Sequence, residues 1–134
     1  MRRFIIDTDT ASDDAAAIMI AAMSPQIDLL GVTIVAGNVG LAQAADNALM
    51  TLEVCGCDAP VFLGARQPLF HDRHETISVH GKDGMGDCDI IHPQKVPETM
   101  RAVEFILSQV EKYPDEVELV VLGPATNIAL AVLT

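Results

Sequence analysis

Apolar residues along this chain switch between unbroken runs and helical spacing, and the switching orders the elements. Arg2 to Asp7 holds a short apolar run that predicts a strand. The stretch AAAIMIAAM behind it predicts a helix from Asp13, with Ser12 placed to cap it. Leu29 to Val35, LLGVTIV, is rich in β-branched residues without alternation, the pattern of a strand covered on both faces, and Gly37 and Asn38 end it. Helical spacing returns from Leu41 to Val54, and a turn around Gly56 to Pro60 leads to a strand at VFLG. Glu98 to Lys112 predicts a helix with Val103, Ile106, Leu107 and Val110 on one face. Val117 to Leu122 predicts another strand, and a last helix begins near Thr126. Between these elements, residues 65–97 keep no period and hold all four histidines, which predicts a long active-site loop.

Strands alternating with helices imply right-handed crossovers and an α/β class: a Rossmann-like open, mainly parallel sheet with flanking helices, forming one domain over residues 1–134. Such sheets bind ligands at the carboxyl ends of their strands. Asp7 to Asp14, Gly37-Asn38, Ala65 onward and Leu122-Gly123 all fall at that edge. The apolar segment after Thr126 has neither a glycine stop nor a cationic last turn, so further chain or a partner is expected to cover it.

The segment FIIDTDTASDDAAAI places four carboxylates, Asp7, Asp9, Asp13 and Asp14, within eight residues between a strand and a helix. Like charges about 4 Å apart repel by roughly 1 kcal/mol in water and ~4 kcal/mol near a protein surface. A helix amino terminus offsets part of that repulsion and a hard divalent cation offsets more. Oxygen-only donors favour Ca²⁺ or Mg²⁺ over Zn²⁺. An EF-hand is excluded, because Ala11, Ser12 and Ile18 occupy the positions where that loop needs an oxygen ligand, a glycine and a glutamate. A cation held by carboxylates can acidify water while one carboxylate takes its proton, which makes hydrolysis the natural reaction class.

Composition narrows the rest. Half of the residues are apolar and only 4% aromatic, so the core is expected to consist of Ala, Val, Ile, Leu and Met rather than rings. A net charge of −11 without a basic patch argues against nucleic acid. Cys55, Cys57 and Cys88 form neither an even framework nor a CxxC pair, the usage of reduced thiols. No signal-peptide core precedes Asp7 and no run approaches a membrane span, so a cytoplasmic location is expected.

The segment DTDTASDDAAAI resembles the DxDxxxDDxxA signature of the inosine-uridine preferring nucleoside hydrolases. VAGN, HGKDGMG and LGPATNIA continue the resemblance in the same order along essentially the whole chain. The resemblance implies hydrolysis of the N-glycosidic bond of ribonucleosides by a calcium-activated water. It implies that Asp9 and Asp14 ligate Ca²⁺ through carboxylates and Leu122 through its backbone carbonyl, with Asp9 also the general base. Asp13 and Asn38 would hold ribose hydroxyls, His80 would lie near the nucleobase, and Asp7 would support the cluster. Family members are longer, and their carboxyl-terminal half adds ribose contacts, a further carboxylate ligand and, in many, a histidine that protonates the leaving base. The chain is therefore expected to hold the amino-terminal half of the site, and its full-length form to be a dimer or tetramer. Two other readings compete. A haloacid-dehalogenase-like phosphatase would use Asp7 as nucleophile and Asp9 as general acid with Mg²⁺. A non-catalytic calcium-binding remnant of the fold would need only the acidic turn. Individual residues also have plainer roles open to them: Asn38 as a turn cap, His80 as a solvated loop histidine, and Asn127 as a stabiliser of the last helix.

Overall fold

The computed structural model describes residues 1–74 and 76–134. Its elements are β1 (Arg2–Thr8), α1 (Ser12–Met23), β2 (Ile27–Ile34), α2 (Leu41–Val54), β3 (Val61–Leu63), α3 (Ile77–His80), α4 (Ala102–Lys112), β4 (Val117–Val121) and α5 (Thr126–Leu133). The four strands form one sheet in the order β3-β2-β1-β4, and every pairing is parallel. The chain thus starts in the interior of the sheet, moves outward through β2 and β3, and returns to the other side of β1 as β4. That reversal opens a crevice beyond the carboxyl ends of β1 and β4, the place where open α/β sheets bind ligands.

Apolar side chains cover both faces of the sheet, which is why its strands read as runs rather than alternations. On one face Ile6, Val32 and Ile34 pack with Ile18 and Ala21 of α1 and with Ala44, Ala48 and Leu52 of α2. Alanine on the inner surfaces of both helices lets their backbones lie close to the sheet. On the other face Ile5, Phe62, Ala102, Phe105 and Ile106 form a second core, with Leu30, Ile128 and Ala131 packed against it.

The core and the helix starts differ from the sequence expectation. The core is not free of rings: Phe62 and Phe105 stack with centroids 3.8 Å apart. No methionine is buried among the described residues, and Met19 and Met23 of α1 lie exposed. Ser12 does not cap α1, because it is already the first helical residue; Ala11 takes the extended N-cap conformation and no side-chain oxygen caps the turn. The α4 helix starts at Ala102 rather than Glu98, whose N–H instead donates to the Val61 carbonyl at 2.8 Å, extending the sheet edge. Its buried face is Ala102, Phe105 and Ile106, whereas Val110 stands 44% exposed. The aromatic residue, with more area to bury, sets the rotation of that helix.

Phe105→Ala is accordingly expected to destabilise the chain by about 3–5 kcal/mol through a cavity beside Phe62, whereas Val110→Ala should cost under about 0.5 kcal/mol. Urea denaturation of both variants checks the contrast.

Candidate active site at the carboxyl end of the sheet

Parallel pairing sets Asp7 beside Thr33 of β2, and the geometry around Asp7 follows from that register. Asp7 is fully buried, and its Oδ1 accepts hydrogen bonds from Thr33 Oγ1 at 2.6 Å and Asn127 Nδ2 at 2.8 Å. Its Oδ2 is buried with no hydrogen-bond partner. Burial pushes the Asp7 carboxyl above its ordinary range, the two donors pull it back, and the charge of Asp9 adds to the rise. A carboxylate with no exposed atom cannot reach an incoming phosphate, which removes the nucleophile that the phosphatase reading requires.

Asp9 follows the last residue of β1 by one position and points into the crevice. Its Oδ2 accepts the Asn38 backbone N–H at 2.6 Å. Gly37 and Gly123, from the ends of β2 and β4, press against it on two sides. A Cβ on Gly37 would collide with the Asp9 carboxylate, and one on Gly123 would stand 2.9 Å from both Asp9 N and Asp9 Oδ1. Two glycines therefore let three strand ends close around one carboxylate. The cavity in front of it measures about 430 Å³, within the range of small-molecule sites. Asn38, Leu122 and Pro124 line its sheet side, and Asp72, Arg73 and His74 its loop side.

Asp14, in the first turn of α1, is buried and accepts a hydrogen bond from Thr8 Oγ1 at 2.6 Å. Burial, reinforced by the charge and hydrogen bond of Asp9 and the charge of Asp13 and opposed by the Thr8 hydroxyl, raises its carboxyl to about 7. Asp13 in the same turn is exposed. The acidic turn is braced from behind by Asn47 of α2, whose Nδ2 donates to the Thr10 carbonyl at 2.9 Å and the Asp83 carbonyl at 2.8 Å. Asn127 is a second brace: besides Asp7, its Nδ2 donates to the Ile34 carbonyl at 3.0 Å, and its Oδ1 accepts the Ala65 N–H at 2.9 Å. Its side-chain bonds join β1, β2 and the loop after β3, and none of them caps the start of α5.

The structure thus brings Asp7, Asp9, Asn38 and Leu122 to one edge, with Asp14 bonded to Thr8 of the same strand. It places His80 elsewhere: half-buried on α3, with Nδ1 3.3 Å from Ser12 Oγ and outside the cavity lining. Arg73 and His74 occupy the loop side, and the aperiodic sequence of that loop carries no signal for them. Nor does the sequence mark Thr8, Thr33 or Asn47, whose importance comes from register and tertiary approach.

The carboxylates of the acidic turn are hard oxygen donors, which suit a hard divalent cation in kind. In number the set is partial. Among the described residues no three carboxylate, imidazole or thiolate side chains converge as a cation cage.

The raised carboxyls give a signed pH dependence. Asp14 holds its proton up to about 7 in the folded chain but releases it near 3.8 when unfolded, and Asp7 shifts in the same direction. The folded chain therefore binds more protons across that interval, and stability present at low pH is lost as pH rises through it. With a chelator present, the melting temperature should fall between pH 4 and pH 7 by calorimetry, and Asp14→Asn should flatten the fall.

Comparison with known proteins places this geometry. A family model described as inosine-uridine preferring nucleoside hydrolase matches residues 4–134. Uridine nucleosidase 1 of Arabidopsis thaliana is 42% identical over 132 residues, covering 97% of this chain and 39% of that protein. The non-specific ribonucleoside hydrolase RihC of Klebsiella pneumoniae is 40% identical over 126 residues, covering 94% and 41%. Among solved structures, a purine-preferring ribonucleoside hydrolase from Gardnerella vaginalis superposes with a TM-score of 0.93 at 35% identity, covering 98% of this chain and 43% of that one. The plant nucleoside hydrolase PpNRh1 gives 0.92 at 38% identity, covering 98% and 42%. The chain spans about two fifths of the length of these relatives. The matched residues include the whole acidic turn and every strand end around the cavity, and the chain belongs to the inosine-uridine preferring nucleoside hydrolase family.

Proposed function

We propose that residues 1–134 form the amino-terminal portion of a nucleoside hydrolase, with 65–97 as its active-site loop. Its reaction is calcium-dependent hydrolysis of the N-glycosidic bond of ribonucleosides to ribose and free base. The observation that carries this reading is Asp9: a nearly buried carboxylate, held by the Asn38 N–H between Gly37 and Gly123, facing a ligand-sized cavity at the sheet's switch point.

In this reading Asp9 and Asp14, with the Leu122 carbonyl, hold Ca²⁺. When bound, the cation supplies positive charge that offsets the carboxylate repulsion and acidifies the attacking water. Asp9 takes the proton of that water as its oxygen bonds to the sugar's anomeric carbon. The electrons of the C–N bond leave with the base, which gains a proton from a group outside these residues. Asn38, in the cavity lining, and Asp13, exposed in the first turn of α1 outside that lining, hold the ribose hydroxyls. Anionic carboxylates around the ring favour the oxocarbenium-like charge that develops as the bond breaks. Asp7 is a supporting residue, buried behind Asp9. His80, on α3 and outside the cavity lining, is assigned to the nucleobase side through the loop rather than to the water-activating side. The same reading includes the cytoplasmic location and the dimeric or tetrameric assembly expected above. In support, the cysteines are free and no described helix is long and apolar enough to cross a membrane.

A non-catalytic calcium-binding remnant is the second reading, which needs only the acidic turn that the chain contains. One experiment separates the two: ribose release from inosine, uridine, cytidine and adenosine, with calcium and then with a chelator. Chelator-sensitive release is expected, and Asp9→Ala and Asp14→Ala should each lower kcat/KM at least about a hundredfold. Calcium binding without ribose release supports the remnant, and near-normal rates in both variants remove Asp9 and Asp14 from the mechanism.

A further inference from the structure

Asn38 and His80 come from separate segments of the chain, and one residue is bonded to both. Thr76 Oγ1 donates to Asn38 Oδ1 at 2.7 Å, and the Thr76 N–H reaches the Asn38 carbonyl at 3.4 Å. Thr76 also immediately precedes α3, and its own carbonyl accepts the N–H groups of Val79 at 3.0 Å and His80 at 3.1 Å. We infer that Thr76 is a positioning residue for the sugar: its hydroxyl fixes the Asn38 amide so that the NH₂ group faces the cavity. This rests on the nucleoside hydrolase reading above and deepens it.

The chemistry of the cavity makes that orientation consequential. A ribose hydroxyl carries one hydrogen and two lone pairs. Asp9 and Asp72, the carboxylates that line the cavity, are acceptors when ionised and satisfy only the hydrogen. A donor is needed for a lone pair, and the Asn38 backbone N–H is already committed to Asp9. The Asn38 side chain can supply the donor if its NH₂ and not its oxygen points inward. The two ends of an amide are nearly equal in shape, so the orientation depends on partners. Carboxylates on the cavity side attract the NH₂ end, and Thr76 satisfies the oxygen left on the other side. Without the hydroxyl that half-buried oxygen has no partner, and the amide turns or swings toward water. The bond also ties the long loop to the end of β2, so the placement of α3, and with it His80, is linked to the state of Asn38.

The test uses the intact protein. Thr76→Val keeps the side-chain shape and removes the hydroxyl; Thr76→Ser keeps the hydroxyl. With inosine and uridine as probes, Thr76→Val should lower kcat/KM about tenfold, chiefly through KM, at unchanged melting temperature and unchanged calcium affinity. Thr76→Ser should recover to within about threefold of the starting protein. In protein labelled with ¹⁵N-asparagine, the Asn38 side-chain amide signals, assigned by their loss in Asn38→Ala, should shift in Thr76→Val and stay in place in Thr76→Ser. Unmoved amide signals in Thr76→Val overturn the inference, as does a Thr76→Ser variant as impaired as Thr76→Val. If the unsubstituted protein releases no ribose, the hydrolase reading fails, and the amide signals alone decide whether Thr76 sets Asn38.

Discussion

The cost of gathering carboxylates in a small volume shapes this end of the molecule. Asp7, Asp9 and Asp14 are all nearly withdrawn from water, and each therefore needs donors to replace the lost hydration. Neutral groups supply them: hydroxyls from Thr33 and Thr8, the Asn127 amide, and the backbone N–H of Asn38. Neutral donors satisfy lone pairs without cancelling charge, so the cluster keeps a negative potential for a cation. The ion pairs Arg2–Glu118 and Arg3–Glu116 sit at the opposite, amino-terminal end of the sheet, where they leave that potential intact. A lysine or arginine bonded to Asp9 would stabilise the empty site and compete with any metal.

The division between what the sequence displays and what it hides follows the range of each interaction. The strand ending in Asp7, the boundaries of α2 and the parallel layout are local or periodic, and they are visible as runs of apolar residues with glycine and asparagine stops. The buried face of α4 is not visible in this way, because counting apolar positions gives Val110 the same weight as Phe105, although only the larger ring finds a partner in Phe62. Ser12 looks like a cap because Asp13 and Asp14 mark a first turn, yet the helix begins before them and takes Ser12 into that turn. The acidic motif itself is legible because four carboxylates packed between a strand and a helix repel one another, and a bound cation is the strongest remedy for that repulsion.

Asn127 illustrates the limit. As a residue near the start of an apolar helix it reads as a local stabiliser, yet its amide reaches across the sheet to Asp7, 120 residues earlier in the chain. Only the strand order, which brings β4 back beside β1, creates that contact. The same order makes Gly123 a neighbour of Asp9 and joins the Leu122 N–H to the Asp7 carbonyl at 2.8 Å. A helix that follows a sheet edge is thus part of the acidic site, and its buried polar residue fixes three segments at once.

The two sides of the cavity are built to different tolerances, and that difference has a chemical reason. In the proposed reaction, bond cleavage depends on placing a carboxylate and a water to within about half an ångström, and strand ends locked by register and buried asparagines can hold that precision. Recognition of a base needs surface that can differ from one protein to the next without disturbing the sheet, and a loop with no regular period over most of its length can change in that way. Residues 65–97 are nevertheless anchored to the elements around the sheet's carboxyl edge, among other contacts by Ala65 to Asn127, Asp83 to Asn47, and Thr76 to Asn38. Each anchor ends on an asparagine that also touches the acidic turn or the end of β2. In the proposed reading the loop can vary between its anchors while the surroundings of the sugar stay fixed, and a change at an anchor reaches the acidic turn or the end of β2 directly.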